Sequence, residues 1–358
     1  MATIQSISVM QEPIDDMHDA LVRQAKGCLR LGSTMYSDLF LRLAQDYASG
    51  GIAADILSGT TATPLHDATP LRLAGAMHRV VLDGLDPALA QHYPSIGGTV
   101  GESFAQDFLD AIPRHKDAIA DGLQRQVQTN EVGRSVVPLA LVNWLGLRGV
   151  AEVTWYEIGA SAGLNLSFDR FGADTGSGVM GDKQSTVWFS PAWFDVAPPV
   201  CASPARVVVR RGVDISPINI HNTSDASRLR SFVWPDQIDR FERMDAAIAI
   251  AQDSEHTVDS SSADSWLDEL LNNPRAGATV VFHSIVWQYL GHKVHDGVRD
   301  ALTRAGRSAT QERPLVWARM EPAGDVADVR VTIWDGVSTS ESVLATVGYH
   351  GQHMRWLY

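Results

Sequence analysis

Val153-Thr154-Trp155-Tyr156-Glu157-Ile158-Gly159-Ala160-Ser161-Ala162-Gly163-Leu164-Asn165-Leu166 decides the fold. Its β-branched and aromatic opening reads as a buried strand. Small residues then run from Gly159 to Gly163, and Leu164-Asn165-Leu166-Ser167-Phe168 can begin a helix. A strand, a tight turn and a helix start form a ligand site at the carboxyl edge of a parallel sheet. Small residues admit a close ligand, and the helix start is expected to offer free N–H groups. Ser161 stands where glycine would be easier, so it needs negative φ or some strain. The plainer reading is a glycine-rich turn without a ligand.

Upstream, the polar stretch Gln126–Ser135 precedes an apolar helix that runs to about Leu147. Thr129 or Asn130 can cap that helix. Alternatively the segment faces the glycine turn, because the helix leads directly into the motif strand. Downstream, about 172–204 is rich in Gly, Ser, Pro and Asp and reads as an insertion. Arg206–Asp214 gives a second strand. Residues 224–252 read as helices around Phe232–Gln237, with Pro235 at a first helical position and Asp236 complementing the dipole; Trp234, Asp236 and Gln237 on a pocket rim is the alternative. His256–Asp259 reads as a short third strand, followed by a loop with Asp264 and a helix over Ser265–Leu271. Ala278–His283 is a fourth, buried strand. His283 at its carboxyl end suits a general base, since histidine titrates near neutrality; a core histidine bonded to backbone is the alternative. Leu315–Pro322 is a fifth strand, and Val329–Trp334 with Ser342–Val347 reads as a terminal antiparallel pair.

Residues 1–125 read as helices. Leu21, Ala25, Cys28 and Leu29 recur at helical spacing, as do Tyr36, Leu39, Phe40, Leu43 and Tyr47, then Leu71, Ala74, Met77, His78 and Val81. Tyr93-Pro94-Ser95-Ile96-Gly97-Gly98 is a loop. The expected organisation is an N-terminal helical subdomain, 1–125, roofing a pocket on an α/β domain, 126–358. In that roof Tyr93 offers an aromatic face or a hydroxyl to a substrate, or simply packs on the core.

The 358 residues carry a formal net charge of −13, which repels phosphate backbones and argues against nucleic acid as a partner. Arg206, Arg210 and Arg211 are the nearest approach to a basic patch. Cys28 and Cys201 form no C-x-x-C, so a reducing compartment is expected. Met1–Gln5 lacks a basic start and apolar core. Val136–Leu147, broken by Pro138 and Asn143, is too short to span a bilayer. A cytoplasmic protein without a membrane partner is expected. His292 with His295 and His350 with His353 lack H-E-x-x-H form, so no metal is expected.

Glu157-x-Gly159-x-Ser161-x-Gly163 resembles motif I (E/D-x-G-x-G-x-G) of the class I S-adenosylmethionine-dependent methyltransferases, with Ser161 in place of one glycine. The resemblance implies an α/β, Rossmann-like sheet, mostly parallel with a terminal antiparallel hairpin, beside the N-terminal helical subdomain. It implies S-adenosylmethionine held by Asn130, Arg134, Glu157, Gly159, Ser161 and Gly163, with Arg134 on its carboxylate. Asp214, ending the second strand in Gly212-Val213-Asp214-Ile215-Ser216-Pro217, would hold the ribose hydroxyls, and Asp259 or Asp264 the adenine. Asp214 lies much further past the turn than the roughly 20 residues of a nucleotide-fold acid, which the insertion accounts for. Tyr93-Pro94…Gly97-Gly98, Gln128–Arg134, Glu157–Leu166, Phe232–Gln237 and Val281–Leu290 together resemble a family of uncharacterised bacterial proteins with a methyltransferase-like fold. The implied function is methyl transfer to a small molecule, with His283 and Tyr93 as catalytic candidates. Cyclisation or elimination chemistry on the same cofactor, or a non-catalytic ligand-sensing or interaction protein, are the alternatives.

Overall fold

The computed structural model describes residues 16–273 and 276–358; Met1–Gln5, read above as lacking a leader, lies outside them. The chain forms two compact units. One holds the chain up to Gln128 together with Arg230–Phe241, and the other holds Thr129–Leu229 and Glu242–Tyr358.

The first unit is helical: α1 (Met17–Arg30), α2 (Thr34–Ala48), α3 (Ile52–Leu57), α4 (Thr69–Leu82), α5 (Pro87–Ala90), α6 (Phe104–Ala111) and α7 (Lys116–Gln124). Asp16 and Ser33 cap α1 and α2 by accepting the His18 and Tyr36 N–H groups. The expected stripes form its core: Leu21, Ala25 and Cys28 from α1, Tyr36, Leu39, Phe40 and Leu43 from α2, and Ala74, Met77, His78 and Val81 from α4. Leu29, expected in the α1 stripe, is instead 58% exposed. The returning segment seals this core. A Cβ on Gly75 would meet the Phe232 ring at 2.7 Å, and Trp234 lies 6.3 Å from Tyr36. The helix expected at Pro235 begins three residues later. Asp236 caps α2 instead, accepting from Ser33 Oγ at 2.7 Å and Met35 N at 3.1 Å.

The second unit opens with α8 (Val136–Leu147), whose residues Val136–Leu145 are all buried. Its strands are β1 (Glu152–Ile158), β2 (Gly172–Asp174), β3 (Val179–Gly181), β4 (Trp188–Phe189), β5 (Phe194–Val196), β6 (Arg206–Asp214), β7 (Thr257–Ser260), β8 (Ala278–Ser284), β9 (Leu315–Ala323), β10 (Val326–Trp334), β11 (Thr339–Val347) and β12 (Met354–Trp356). Its helices α11 (Ala263–Leu271) and α12 (His292–Gly306) follow β7 and β8; α9 (Thr223–Ser231) and α10 (Ile238–Gln252) carry the chain across the unit boundaries. Nine described strands form one mixed sheet in the order β5-β12-β11-β10-β9-β8-β1-β6-β7.

From β7 through β9 the neighbours are parallel, and β9 to β12 form an antiparallel meander. The sheet therefore extends beyond the expected terminal pair. The insertion supplies a separate sheet, β3-β2-β4, and then β5, which closes the far edge beside β12. Every residue of β1 after Glu152 is buried, as befits a strand covered on both faces. One face packs Tyr156, Ile158 and Val281 on Trp266, Leu267, Val298 and Leu302 of α11 and α12. Trp155 packs on Phe168 and Phe282.

Candidate functional site

The chain leaves β1 for β6 and β7 on one side, then returns to β8 and β9 on the other. The carboxyl ends of β1 and β8 thus flank a topological switch point, where open α/β sheets bind ligands. Both exits hold a non-glycine residue in the left-handed region, Ser161 at φ +54 and Ile285 at φ +49. For a β-branched isoleucine this is a true outlier, and such strain gathers at functional sites.

The glycine turn lies down on β6. Gly159 N–H and Ala160 N–H both donate to Val213 O, at 2.8 and 3.1 Å, and Ser161 N–H donates to Asp214 Oδ2 at 3.0 Å. Gly159 and Gly163 take φ +70 and +74. Added Cβ atoms would come 2.5 Å from Val286 and 2.8 Å from Val258 respectively. Gly212 is a residue the sequence reading missed. A Cβ there would stand 2.5 Å from the Ala160 Cβ, so only glycine lets the turn approach β6. A glycine inside a strand pattern was the available signal.

The helix expected after the turn is a 3-10 stretch, Leu164–Arg170, bent at Ser167. Its first N–H is not free, because Leu164 donates to Asn130 Oδ1 at 2.9 Å. Asn130 is therefore committed to the turn. Asn165 donates to Glu131 O and accepts from Ser135 Oγ, so within the 126–135 segment Asn130, Glu131 and Ser135 do face the turn. Glu131 accepts from Gly133 N–H and pairs with His350 Nδ1 at 3.1 Å. Arg134 donates Nε to Tyr349 O at 3.0 Å and Nη1 to Ser284 O at 3.3 Å, tying the end of β8 to a C-terminal loop.

The acids divide into two kinds. Glu157 is 3% exposed, and burial pushes its carboxyl up to about 8, with the nearby Arg134 charge opposing the rise. Asp214 accepts Ser161 N–H on one oxygen and Ser216 N–H on the other, at 3.0 and 2.9 Å. Each carboxylate oxygen has two acceptor sites, so both retain capacity. Asp259 is structural: its Oδ2 takes Arg211 Nε at 3.1 Å, Arg211 Nη2 at 2.7 Å and Trp266 Nε1 at 2.6 Å. Asp264 sits in the first turn of α11, held below the usual carboxylate range chiefly by the Ser262 hydroxyl. Ser161 Oγ is buried and has no hydrogen-bond partner.

His283, fully buried at the end of β8, gives Nδ1 to Glu321 Oε1 at 2.6 Å. Burial lowers its pKa, and the Glu321 contact partly restores it. The same Oε1 accepts Val286 N–H at 3.2 Å and Trp287 N–H at 3.3 Å. His283 stacks on Trp287 at 5.0 Å, and His295 stacks on Trp287's ring at 4.4 Å. Glu321 was not read from the sequence; an acid at the end of a buried fifth strand was the signal. Tyr93 belongs to the core of the helical unit. It is fully buried, packs 5.3 Å from His78 and edge-on to Phe104, and its hydroxyl is unpaired.

Three of the paired histidines have other partners. His350 meets Glu131, His353 meets Asp195, and His295 bonds Trp287 O. Among the described residues, the one group with metal-ligand spacing is Asp16, His18 and Asp19 on the surface. A cavity of about 370 Å³ opens at the amino ends of β8 and β9, beside Thr279 and Leu315. That is the sheet edge away from the switch point, so it is not the candidate site.

No curated protein and no solved structure matches the chain. Residues 18–356 match a family described as "Uncharacterized protein conserved in bacteria (DUF2332)". Spanned almost end to end by that match, the chain belongs to this bacterial family.

Proposed function

We propose that the chain binds S-adenosylmethionine at the carboxyl ends of β1 and β6 and directs methyl transfer to a small molecule. The observation that carries this reading is the lock between the two strand ends. Asp214 holds the Ser161 turn by its backbone while keeping acceptor capacity on both oxygens. Two such acceptors suit a vicinal diol.

The residues fit the group in three further respects. Glu157 is a buried acid that a ligand ammonium would ionise. Ser161 Oγ is a buried hydroxyl lacking a partner. Arg134 lies within electrostatic reach of Glu157. Asp264 suits adenine better than Asp259, whose Oδ2 already takes three donors. The fit is poorer at Leu164, whose N–H already serves Asn130. When bound, the sulfonium supplies an activated methyl group; the protein then needs mainly to align and to handle a proton.

Calorimetric titration of the full chain with S-adenosylmethionine and with its demethylated product tests the reading. Saturable binding of both is expected. Asp214→Ala should weaken it by about 1.5–3 kcal/mol, the scale of a hydrogen bond to a charged group. A folded chain that binds neither compound sinks the proposal. A methylated product in mass spectrometry would separate enzyme from binder.

A further inference from the structure

Two atoms of the His283–Glu321 pair are buried and unpartnered: His283 Nε2 and Glu321 Oε2. Their chemistry is the same. Glu321 Oε1 accepts three N–H groups, from His283, Val286 and Trp287. A carboxylate oxygen gathering N–H donors leaves the proton on His283 Nδ1, so Nε2 carries the lone pair. Oε2 is an acceptor as well. The pair thus presents two acceptors and no donor, and burying such groups without partners is costly.

We propose that this pair is a binding site for a ligand's O–H or N–H, with His283 Nε2 as the proton acceptor and Glu321 as the residue that positions it. Resting on the methyl-transfer reading, the inference names the substrate class: a hydroxyl or amine, rather than a carbon or thioether nucleophile. The O–H or N–H bond gives its proton to Nε2, and its electron pair stays on the heteroatom, which becomes the nucleophile. The imidazolium so formed faces the Glu321 carboxylate. The Trp287 ring lies stacked between His283 and His295 and so braces the imidazole. The other charged or titratable neighbours are Arg319 on β9, and His295 and Arg299 on α12; Arg299 lies 5.6 Å from the Trp287 ring. Burial, Arg319 and His295 disfavour the cation, which leaves Glu321 as the group that favours it.

Nitrogen NMR of the histidine-labelled full chain, assigned with His283→Gln, is the test. Without any ligand, His283 should show a protonated Nδ1 and a bare Nε2 at neutral pH. Glu321→Gln should lower the pH at which the ring protonates, by about tenfold or more in proton affinity; an unmoved pH would remove Glu321 from the positioning role. Matched probes at tens of millimolar, phenol against anisole and aniline against its N,N-dimethyl derivative, both neutral amines at this pH, address the substrate class. The donor-bearing member should shift Nε2 and the blocked member should not. A protonated Nε2 in the parent chain overturns the proton-acceptor role. Equal response to both members, or no response to either, overturns the substrate class. None of these readouts depends on cofactor binding, so failure of the calorimetric titration leaves them standing, and their failure leaves the cofactor site standing.

Discussion

Glu157 shows how one residue's environment can reverse its ordinary behaviour. Its carboxyl ionises near 4.5 in an open chain and is pushed up to about 8 in the folded unit. Between those values the native state binds more protons than the unfolded one, so stability falls as pH rises from about 4.5 to about 8 and is level beyond. Glu157→Gln removes this component. The variant should gain on the parent as pH rises from 5 to 8, by on the order of a few kcal/mol at the upper end. Denaturation midpoints of both chains at pH 5, 6.5 and 8 check it; a gap that stays constant would mean the acid is solvated. The strand–acid–turn pattern made Glu157 legible in the sequence. Glu321 was not, because its importance comes from His283 on the neighbouring strand, and register alone brings the two together.

At the scale of the element, the 3-10 stretch Leu164–Arg170 replaces the expected α-helix. It is held from β6: Arg210 donates to Leu166 O and forms a two-pronged pair with Asp169 at 2.6 and 2.7 Å. These side chains are largely shielded, so the pair outweighs a surface ion pair. Arg210→Ala should destabilise the second unit by about 1–3 kcal/mol, and Arg210→Lys should recover little because an ammonium cannot form the fork. Hydrogen exchange over 164–170 is the measurement. Faster exchange there, with the α1–α4 amides unchanged, is the expected pattern; unchanged protection at Leu166 and Phe168 would remove Arg210 from this role.

For the molecule as a whole, charge is the property with consequences. The net charge is −13, and the apparent basic patch is internally neutralised. Arg206 pairs with Glu152, Arg210 with Asp169 and Arg211 with Asp259. With these three arginines paired, the patch offers a phosphate backbone little free positive charge and little counterion release. No retardation of a 30-base-pair duplex is therefore expected at micromolar protein in about 50 mM salt, a condition that favours electrostatic binding. A shifted band that vanishes at higher salt would reveal a cationic face. Among the described residues no helix is long and apolar enough to cross a membrane.

Local pattern sufficed for the elements themselves. The apolar stripes of α1, α2 and α4, the parallel strands β1, β6, β7, β8 and β9, and the β10–β11 pair were all legible, because hydrophobic periodicity reports burial directly. The sequence also singled out the glycine turn and the 126–135 segment, of which Asn130 and Glu131 meet it. Tertiary structure alone decided which polar groups were already spent. Asn130 went to Leu164, Asp259 to Arg211 and Trp266, and Asp236 to the start of α2 some 200 residues away. It also decided that Tyr93 packs in a helical core, that β5 joins β12, and that Glu321 meets His283. The physical reason is the same in each case. A side chain's local sequence gives its propensity, whereas its hydrogen-bond partner depends on which distant backbone groups the fold leaves unsatisfied.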